Sequence, residues 1–201
     1  GYYDEHGKVH IHSKSIVIHL HHAMIVEGLG LKPEDLFLAC NPMGGTFGYK
    51  FSPTIEALVA VCVMATKRPC FLTFTYRQQM QYTGKRSPFH VTMKLAADKT
   101  GKLLAMKTDF DVDHGPYSEF GDLLTIRGIQ FMGSPYDIPN IRGEGRTICT
   151  NHTWGSAFRG YGGTQACFAT DEVMDELAGK VGMDPLEFRY NNVHREGSTN
   201  P

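Results

Sequence analysis

Two glycine-rich segments constrain this chain more than any other feature. The first, "MGGTFGYK" at 43–50, follows the apolar run "DLFLAC"; the second, "GSAFRGYGG" at 155–163, follows "GRTICTN". In both, a strand-like run delivers the chain, glycines let the backbone approach another body, and helix-forming residues follow. Two phosphate loops fail on spacing. A triphosphate loop needs glycine five residues after the first, directly before Lys and Ser or Thr; from Gly44 that place is Tyr49, and Lys50 precedes Phe51. Gly44, Gly45 and Gly48 also miss the Gly-x-Gly-x-x-Gly offsets of a dinucleotide site. Arg159, between Phe158 and Gly160, can offer a planar fork of donors to an anionic or developing-negative oxygen.

The flanking pattern predicts a mixed α+β (α/β) fold. "KVHIHSKS" alternates, with Val9 and Ile11 on one face and His10 and His12 on the other, as in a short strand. Ile16, Leu20, Ala23 and Met24 recur at helical spacing over 15 to about 27, before the stop signals Gly28 and Gly30. "DLFLAC" is expected to be a buried strand. Ser52 as cap and Pro53 at the first helical position open "TIEALVAVCVMATK", which is apolar nearly all round and expected to be buried deeply. "CFLTFTY", "HVTMKLAA" and "KLLAMKTDFDV" suggest strands, the last two joined by a hairpin turn near Asp98 and Gly101. Gly, Pro, Asp and Ser between Asp113 and Asn140 suggest long ordered loops. A helix over "FATDEVMDELAGKVG" and a short one capped by Asp184, with Pro185 and Glu187, close the pattern.

With 201 residues, 41% hydrophobic and 20% charged, the chain suits one domain or a large piece of one. A net charge of -1 without a long single-sign run argues against a nucleic-acid or membrane surface. No apolar stretch is long enough to span a bilayer and "GYYDEHGKVH" lacks a signal pattern, so a cytoplasmic location is expected. The first residue is not Met and the last run, "REGSTNP", is polar, so a fragment is expected. Cys40, Cys62, Cys70, Cys149 and Cys167 contain no Cys-x-x-Cys pair, which argues against zinc or an iron-sulfur cluster held here; they are expected as small buried apolar residues.

His19 and His22 stand one helical turn apart, a zinc-compatible spacing that no Cys or carboxylate completes, so they are expected as structural or surface residues. Asp111, Asp113, Glu119 and Asp122 are expected to be solvated in loops. Lys85 and Arg86 of "TGKR" are either phosphate contacts or a solvated turn, and His114 and Tyr117 are further site candidates.

Taken together, "MGGTFGYK" and "AFRGYGGTQ" resemble the paired signatures of the molybdopterin-binding part of the xanthine dehydrogenase and aldehyde oxidase family. "HIHSKS", "TGKRSPF", "IPNIRGEGRT" and "GMDPLEFRYNN" extend the resemblance over essentially all of 1–201. It implies part of the first molybdenum cofactor-binding domain of a molybdenum hydroxylase, nearest the bacterial aldehyde-oxidising type. The implied cofactor is molybdenum on molybdopterin, in its cytosine dinucleotide form, with no protein side chain ligating the metal. Gly45, Phe47, Gly48, Phe158, Arg159 and Gly160 would hold it, with Phe47 and Arg159 at the reacting centre. The implied reaction oxidises an aldehyde to a carboxylic acid with oxygen from water, electrons passing to 2Fe-2S clusters in domains or a subunit outside this chain. The catalytic Glu of the family would lie beyond this C-terminus, so the segment alone is expected to be inactive, and the full-length protein a homodimer. Purine-oxidising members carry Glu where this chain has Phe51 and Gln near Ile16, so Phe51, Tyr161 and Ile16 are expected to line an aldehyde channel. Many members have Gly at the places of Thr46 and Tyr49 and Pro at Thr164. A purine or other heterocycle hydroxylase, and a non-catalytic cofactor- or partner-binding module, are the alternatives.

Overall fold

A computed structural model describes residues 1–117 and 119–198, with the backbone alone at Thr54; Ser118 of "PYSEFGD" and the last three residues of "REGSTNP" lie outside the described residues. The chain forms two units, one ending at Gly84 and the other starting at Lys85.

In the first unit, β1 (Tyr2–Tyr3) pairs antiparallel with β2 (Val9–Ser13), which pairs parallel with β3 (Leu36–Cys40) across α1 (Ile18–Leu29). A 3-10 turn at Tyr49–Phe51, α2 (Thr54–Thr66) and α3 (Tyr76–Tyr82) follow. Val9, Ile11, Leu36 and Leu38 from the sheet meet Ile25 and Val26 of α1 and Val59, Ala60 and Val63 of α2. Each large side chain so buried contributes about 1.5–3 kcal/mol.

Several local expectations change here for identifiable reasons. Helix α1 starts at Ile18 because serine side chains hold the preceding link in turns: Ser15 N donates to Ser13 Oγ at 2.8 Å and Val17 N to Ser15 Oγ at 3.0 Å. Its inner face is His21, Ile25 and Val26, whereas Leu20 and Met24 face outward. Gly28 lies inside the helix and Gly30, at φ 64°, ends it. Strand β3 buries alternate residues only, leaving Phe37 exposed. Pro53 takes the cap position of α2, one residue later than expected, so Ser52 stands outside it. Helix α2 buries one face and exposes Leu58, Val61 and Cys62 on the other. "CFLTFTY" enters no strand; Thr75 instead caps α3 through a capping box with Gln78. The cysteines are free thiols, three exposed and two half-buried, so the expected burial does not occur.

In the second unit, β4 (Phe89–Ala97) and β5 (Leu103–Gly115) form the expected antiparallel hairpin, and β5 pairs parallel with β6 (Ile141–Cys149) on its other side. Between β5 and β6 runs α4 (Gly121–Phe131), where long loops were expected. Then come α5 (Gly163–Val181) and α6 (Pro185–Asn192). Helix α4 packs on β6 and α5 on β4. Ala166, Thr170, Met174 and Ala178, four residues apart, form the buried stripe of α5 against Met106, Phe110 and Val112 of β5. Asp184 caps α6 as expected, accepting from Leu186 N and Glu187 N at 2.9 and 3.1 Å. Among the described residues no helix is long and apolar enough to cross a membrane.

Candidate functional site

Strands β2 and β3 run parallel and end together at Ser13 and Cys40, so the first glycine segment leaves the carboxyl edge of a parallel pair. Open α/β sheets place ligands at such edges. Phe47 and Gly48 have φ of 50° and 94°, and the Phe47 ring is 62% exposed. Thr46 Oγ1 accepts from Gly48 N at 3.2 Å. A Cβ on Gly44 would meet nothing within 4 Å, and one on Gly45 would come nearest the Phe47 ring, at 2.9 Å.

The exit of this segment is tied from behind. His21 Nε2 lies 2.5 Å from Phe51 O, and Lys14 Nζ donates to Ser52 O at 2.7 Å. The same ammonium sits 4.5 Å from the Tyr49 ring centre and 3.8 Å from Glu56 Oε2. Glu56 is buried, and its Oε1 accepts from Ser13 Oγ at 2.8 Å and Lys14 N at 3.2 Å. A carbonyl only accepts, so His21 carries its proton on Nε2 and Nδ1 is a bare lone pair. Nδ1 is buried without a hydrogen-bond partner among the described residues. Burial pulls the His21 imidazole below its ordinary pKa, opposed by its bond to Phe51 and by Glu56. Phe51 itself is half-buried, and Ile16 stands on the link two residues beyond Lys14. A cavity of about 560 Å³ in this unit is lined by Lys14, Asn41, Met43, Lys50 and Glu56, among others.

The second segment is held along its whole length. At its entry Lys85 N donates to Trp154 O at 3.1 Å and Ser156 N to Lys85 O at 2.9 Å. Gly155 N donates to His114 O at 2.8 Å, and the His114 ring is buried between Ser87 Oγ, at 2.9 Å, and Glu119 O, at 2.7 Å. At its exit Tyr161 donates from its hydroxyl to Phe120 O at 2.7 Å, while burial raises its pKa to about 12. Gly162, at φ 90°, lies so close to α4 that a Cβ would meet Gly128 N at 3.0 Å. Phe158, Arg159 and Gly160 are exposed between these anchors.

Arg86 reaches this stretch from outside it. Its Nη2 donates to Arg159 O at 2.6 Å, its Nη1 to Thr164 Oγ1 at 2.7 Å and Gln165 Oε1 at 3.4 Å, and its Cζ lies 4.6 Å from the Phe158 ring centre. Arg86 of "TGKR" is thus not part of a solvated turn. Its only signal in the sequence was a basic pair just after a glycine, which many surface turns share. Thr164 turns its hydroxyl to Gln165 Oε1 at 2.8 Å while accepting from Arg86.

Other candidates serve the fold. Asp113 is buried on β5, not solvated, and accepts from Thr150 Oγ1 at 2.5 Å, from His152 Nδ1 and from Gly115 N at 3.1 Å. Asp111 on the same strand pairs with Arg146 at 2.7 Å. His114 is structural, and Tyr117 is exposed. His22 Nε2 bridges Pro33 O and Leu36 O at 3.0 Å each. Among the described residues no three His, Cys, Asp or Glu could share a metal ion.

Gly44 and Gly45 suit a bulky non-protein group. Neither has positive φ; a Cβ on Gly44 would meet no atom within 4 Å, and the nearest atoms to one on Gly45 belong to the Phe47 ring. Such open backbone is what a ligand in close approach requires.

The chain belongs to the molybdopterin cofactor-binding domains of the xanthine dehydrogenase and aldehyde oxidase family; the family model described as "Molybdopterin cofactor-binding domain" matches residues 1–193. It is similar to the aldehyde oxidoreductase of Megalodesulfovibrio gigas, 65% identical over 200 residues, covering 100% of this chain and 22% of that protein. The solved aldehyde oxidoreductase of Desulfovibrio desulfuricans superposes with a TM-score of 0.93 at 64% identity, over 99% of this chain and 22% of that one. The xanthine dehydrogenase/oxidase of Mus musculus is 32% identical over 177 residues, 87% of this chain and 13% of that protein. The chain therefore spans about a fifth of the length of the aldehyde oxidoreductases and less of the xanthine enzyme.

Proposed function

We propose that this chain is the part of an aldehyde-oxidising molybdenum hydroxylase that presents backbone and an arginine to its cofactor. The 65% identity to an aldehyde oxidoreductase, sustained over the whole chain, carries this reading. The balance is one aldehyde and one water to one carboxylic acid, two protons and two electrons, the electrons leaving through iron-sulfur clusters of the remaining protein. When bound, molybdenum on molybdopterin, in the cytosine dinucleotide form, supplies the two-electron redox chemistry and the activation of water.

Gly45, Phe47 and Gly48 would meet the cofactor from the first unit, and Phe158, Arg159 and Gly160 from the second. Preorganised donors of this kind stabilise negative charge as it develops on a substrate oxygen, and the Arg159 guanidinium takes that role. Phe51 and Ile16 of the first unit, and separately Tyr161 of the second, are the side chains proposed as apolar channel walls. A purine edge beside Phe51 would leave polar atoms unpaired at a cost of about 1–3 kcal/mol each, which favours aldehydes over the xanthine-oxidising alternative. The segment by itself is expected to be inactive, and the intact protein to be a cytoplasmic homodimer.

Two measurements on the full-length protein test this. It should contain molybdenum and oxidise benzaldehyde in preference to hypoxanthine; the opposite preference, or turnover by a molybdenum-free preparation, overturns the reading. Arg159→Ala should lower kcat for benzaldehyde by about 100-fold, the typical loss for a removed charge-stabilising donor. Near-normal turnover would take Arg159 out of the site.

A further inference from the structure

The Arg159 backbone is held by a side chain from outside its glycine segment. The Arg159 peptide lies in the exposed stretch between Phe158 and Gly160, where the backbone restraints of the segment are its own turn bonds, Tyr161 N to Phe158 O and Gly163 N to Gly160 O. Arg86 supplies another from 73 residues away. Its guanidinium ties three points together: the carbonyl of Arg159, the face of the Phe158 ring, and Thr164 with Gln165 in the first turn of α5. No carboxylate pairs with it among the described residues, so its donors go to neutral acceptors and its charge remains to add to that of Arg159.

We propose that Arg86 is the positioning residue of the second glycine segment, fixing the Phe158 and Arg159 backbone so that the Arg159 side chain starts from one defined place. The proposal rests on the functional reading above for its consequence, but its structural content stands without it. Lysine cannot substitute. One ammonium cannot reach Arg159 O and Thr164 Oγ1 with separate, rigidly spaced donors while also lying flat on a ring. The partners are local to α5 and the segment, so loss of Arg86 frees the segment while the core stripe at Ala166, Thr170, Met174 and Ala178 stays packed. Burial pulls the guanidinium below its ordinary pKa, yet arginine stays protonated throughout the working range, so this restraint does not titrate.

The test is hydrogen-deuterium exchange on the intact protein prepared without cofactor, followed by kinetics on the loaded enzyme. Arg86→Met should raise exchange at the amides of Tyr161 and Gly163, which bond to Phe158 O and Gly160 O, by about 10-fold, with the amides of 170–178 unchanged. Arg86→Lys should not restore protection, and Thr164→Val, which removes one anchor and leaves the arginine, should give a smaller rise in the same peptide. In the loaded enzyme Arg86→Met should lower kcat by about 10- to 100-fold with little change in KM, the effect of misplacing a reacting group. Unchanged exchange in Arg86→Met, or full protection in Arg86→Lys, overturns the proposal. Raised exchange with unaltered kcat upholds Arg86 as the anchor and instead removes Arg159 from the reaction.

Discussion

Gly44 and Gly155 stand at the start of the two glycine segments, yet they are glycines for opposite reasons. A Cβ on Gly155 would come inside 3.0 Å of Ser87 Oγ and His114 Nδ1, whereas one on Gly44 would meet nothing within 4 Å. The same contrast holds along each segment. The second is wedged by a buried His114, by α4 beneath Gly162 and by Arg86 over Phe158; the first is tied at its exit and open before it. Each also has a cation that grips a backbone carbonyl while lying over an aromatic ring: Lys14 with Ser52 O and Tyr49, Arg86 with Arg159 O and Phe158. A glycine in a sequence can therefore mean space already filled by protein or space kept clear of it, and only packing separates the two.

The largest expected effect tests the filled side. Gly155→Ala forces a methyl into the Ser87 and His114 contact, where neither partner is a flexible chain end, so overpacking should cost about 1–3 kcal/mol or more. Thermal unfolding should show the fall, and an unshifted midpoint would mean that the entry of the second segment is looser than its contacts. Close behind comes Asp113→Asn. The Thr150 hydroxyl first, then His152 and the Gly115 amide, hold the Asp113 carboxyl below its ordinary pKa against burial. The stability this provides is complete above about pH 4, the unfolded value, and is lost as pH falls through the lower folded value. Asn at 113 should lose about 1.5–3 kcal/mol at neutral pH and flatten the acid limb below pH 4, read by urea unfolding across pH. An unchanged acid limb would assign that limb to other carboxylates.

The first segment should respond at a different pH. His21 is neutral and its folded pKa is lowered, so below the unfolded value of about 6.5 the unfolded chain takes up a proton that the folded chain resists. Stability should therefore weaken as pH falls from about 6.5 toward the folded value, because proton uptake at the buried Nδ1 favours release of the ring and of the segment it holds. The bond to Phe51 and the Glu56 charge raise that folded value and narrow the window without reversing it, while the Lys14 charge lowers it and widens the window. Exchange of 46–52, corrected for intrinsic rates, should rise between pH 7 and pH 5 while that of 156–163 stays level. In His21→Leu the rise should disappear, with about 1 kcal/mol lost at neutral pH from the missing bond. Equal pH responses in both segments would erase the distinction between a titrating and a permanent restraint.

Much of this was legible from local sequence. Alternation placed β2, strand-forming residues around a turn near Asp98 and Gly101 placed the β4–β5 hairpin, Asp184 and Pro185 marked the start of α6, and the paired glycine motifs located both segments. What escaped depended on partners distant in the chain. Helix α4 was hidden because Gly121 and Gly128 read as breakers, yet a Cβ on Gly128 would strike the Phe89 and Phe110 rings at 2.8 and 3.1 Å; the glycine is there to bring helix and sheet together. The inner face of α1 was misassigned because its central residue is a histidine, buried only because Phe51 O awaits it. "CFLTFTY" has strand-forming residues but Phe71 is 92% exposed, since propensity without a neighbouring strand makes no sheet. Arg86 could not be told from a surface arginine until α5 and Arg159 were seen beside it.

The smallest effect on the fold is expected at Gly44, and it bears most directly on function. Gly44→Ala adds a methyl where no neighbour lies and no positive φ is demanded, so stability should stay within about 0.5 kcal/mol of the parent. If the space is kept for the pterin or its metal, the same methyl should lower the molybdenum content of the full-length protein, measured by elemental analysis on folded material. The pairing of outcomes decides between causes. Unchanged folding with reduced metal makes the first segment an approach surface; unchanged folding with full metal leaves Gly44 as an ordinary turn residue; and a loss of stability would show that the open side of the first segment is closed by protein after all.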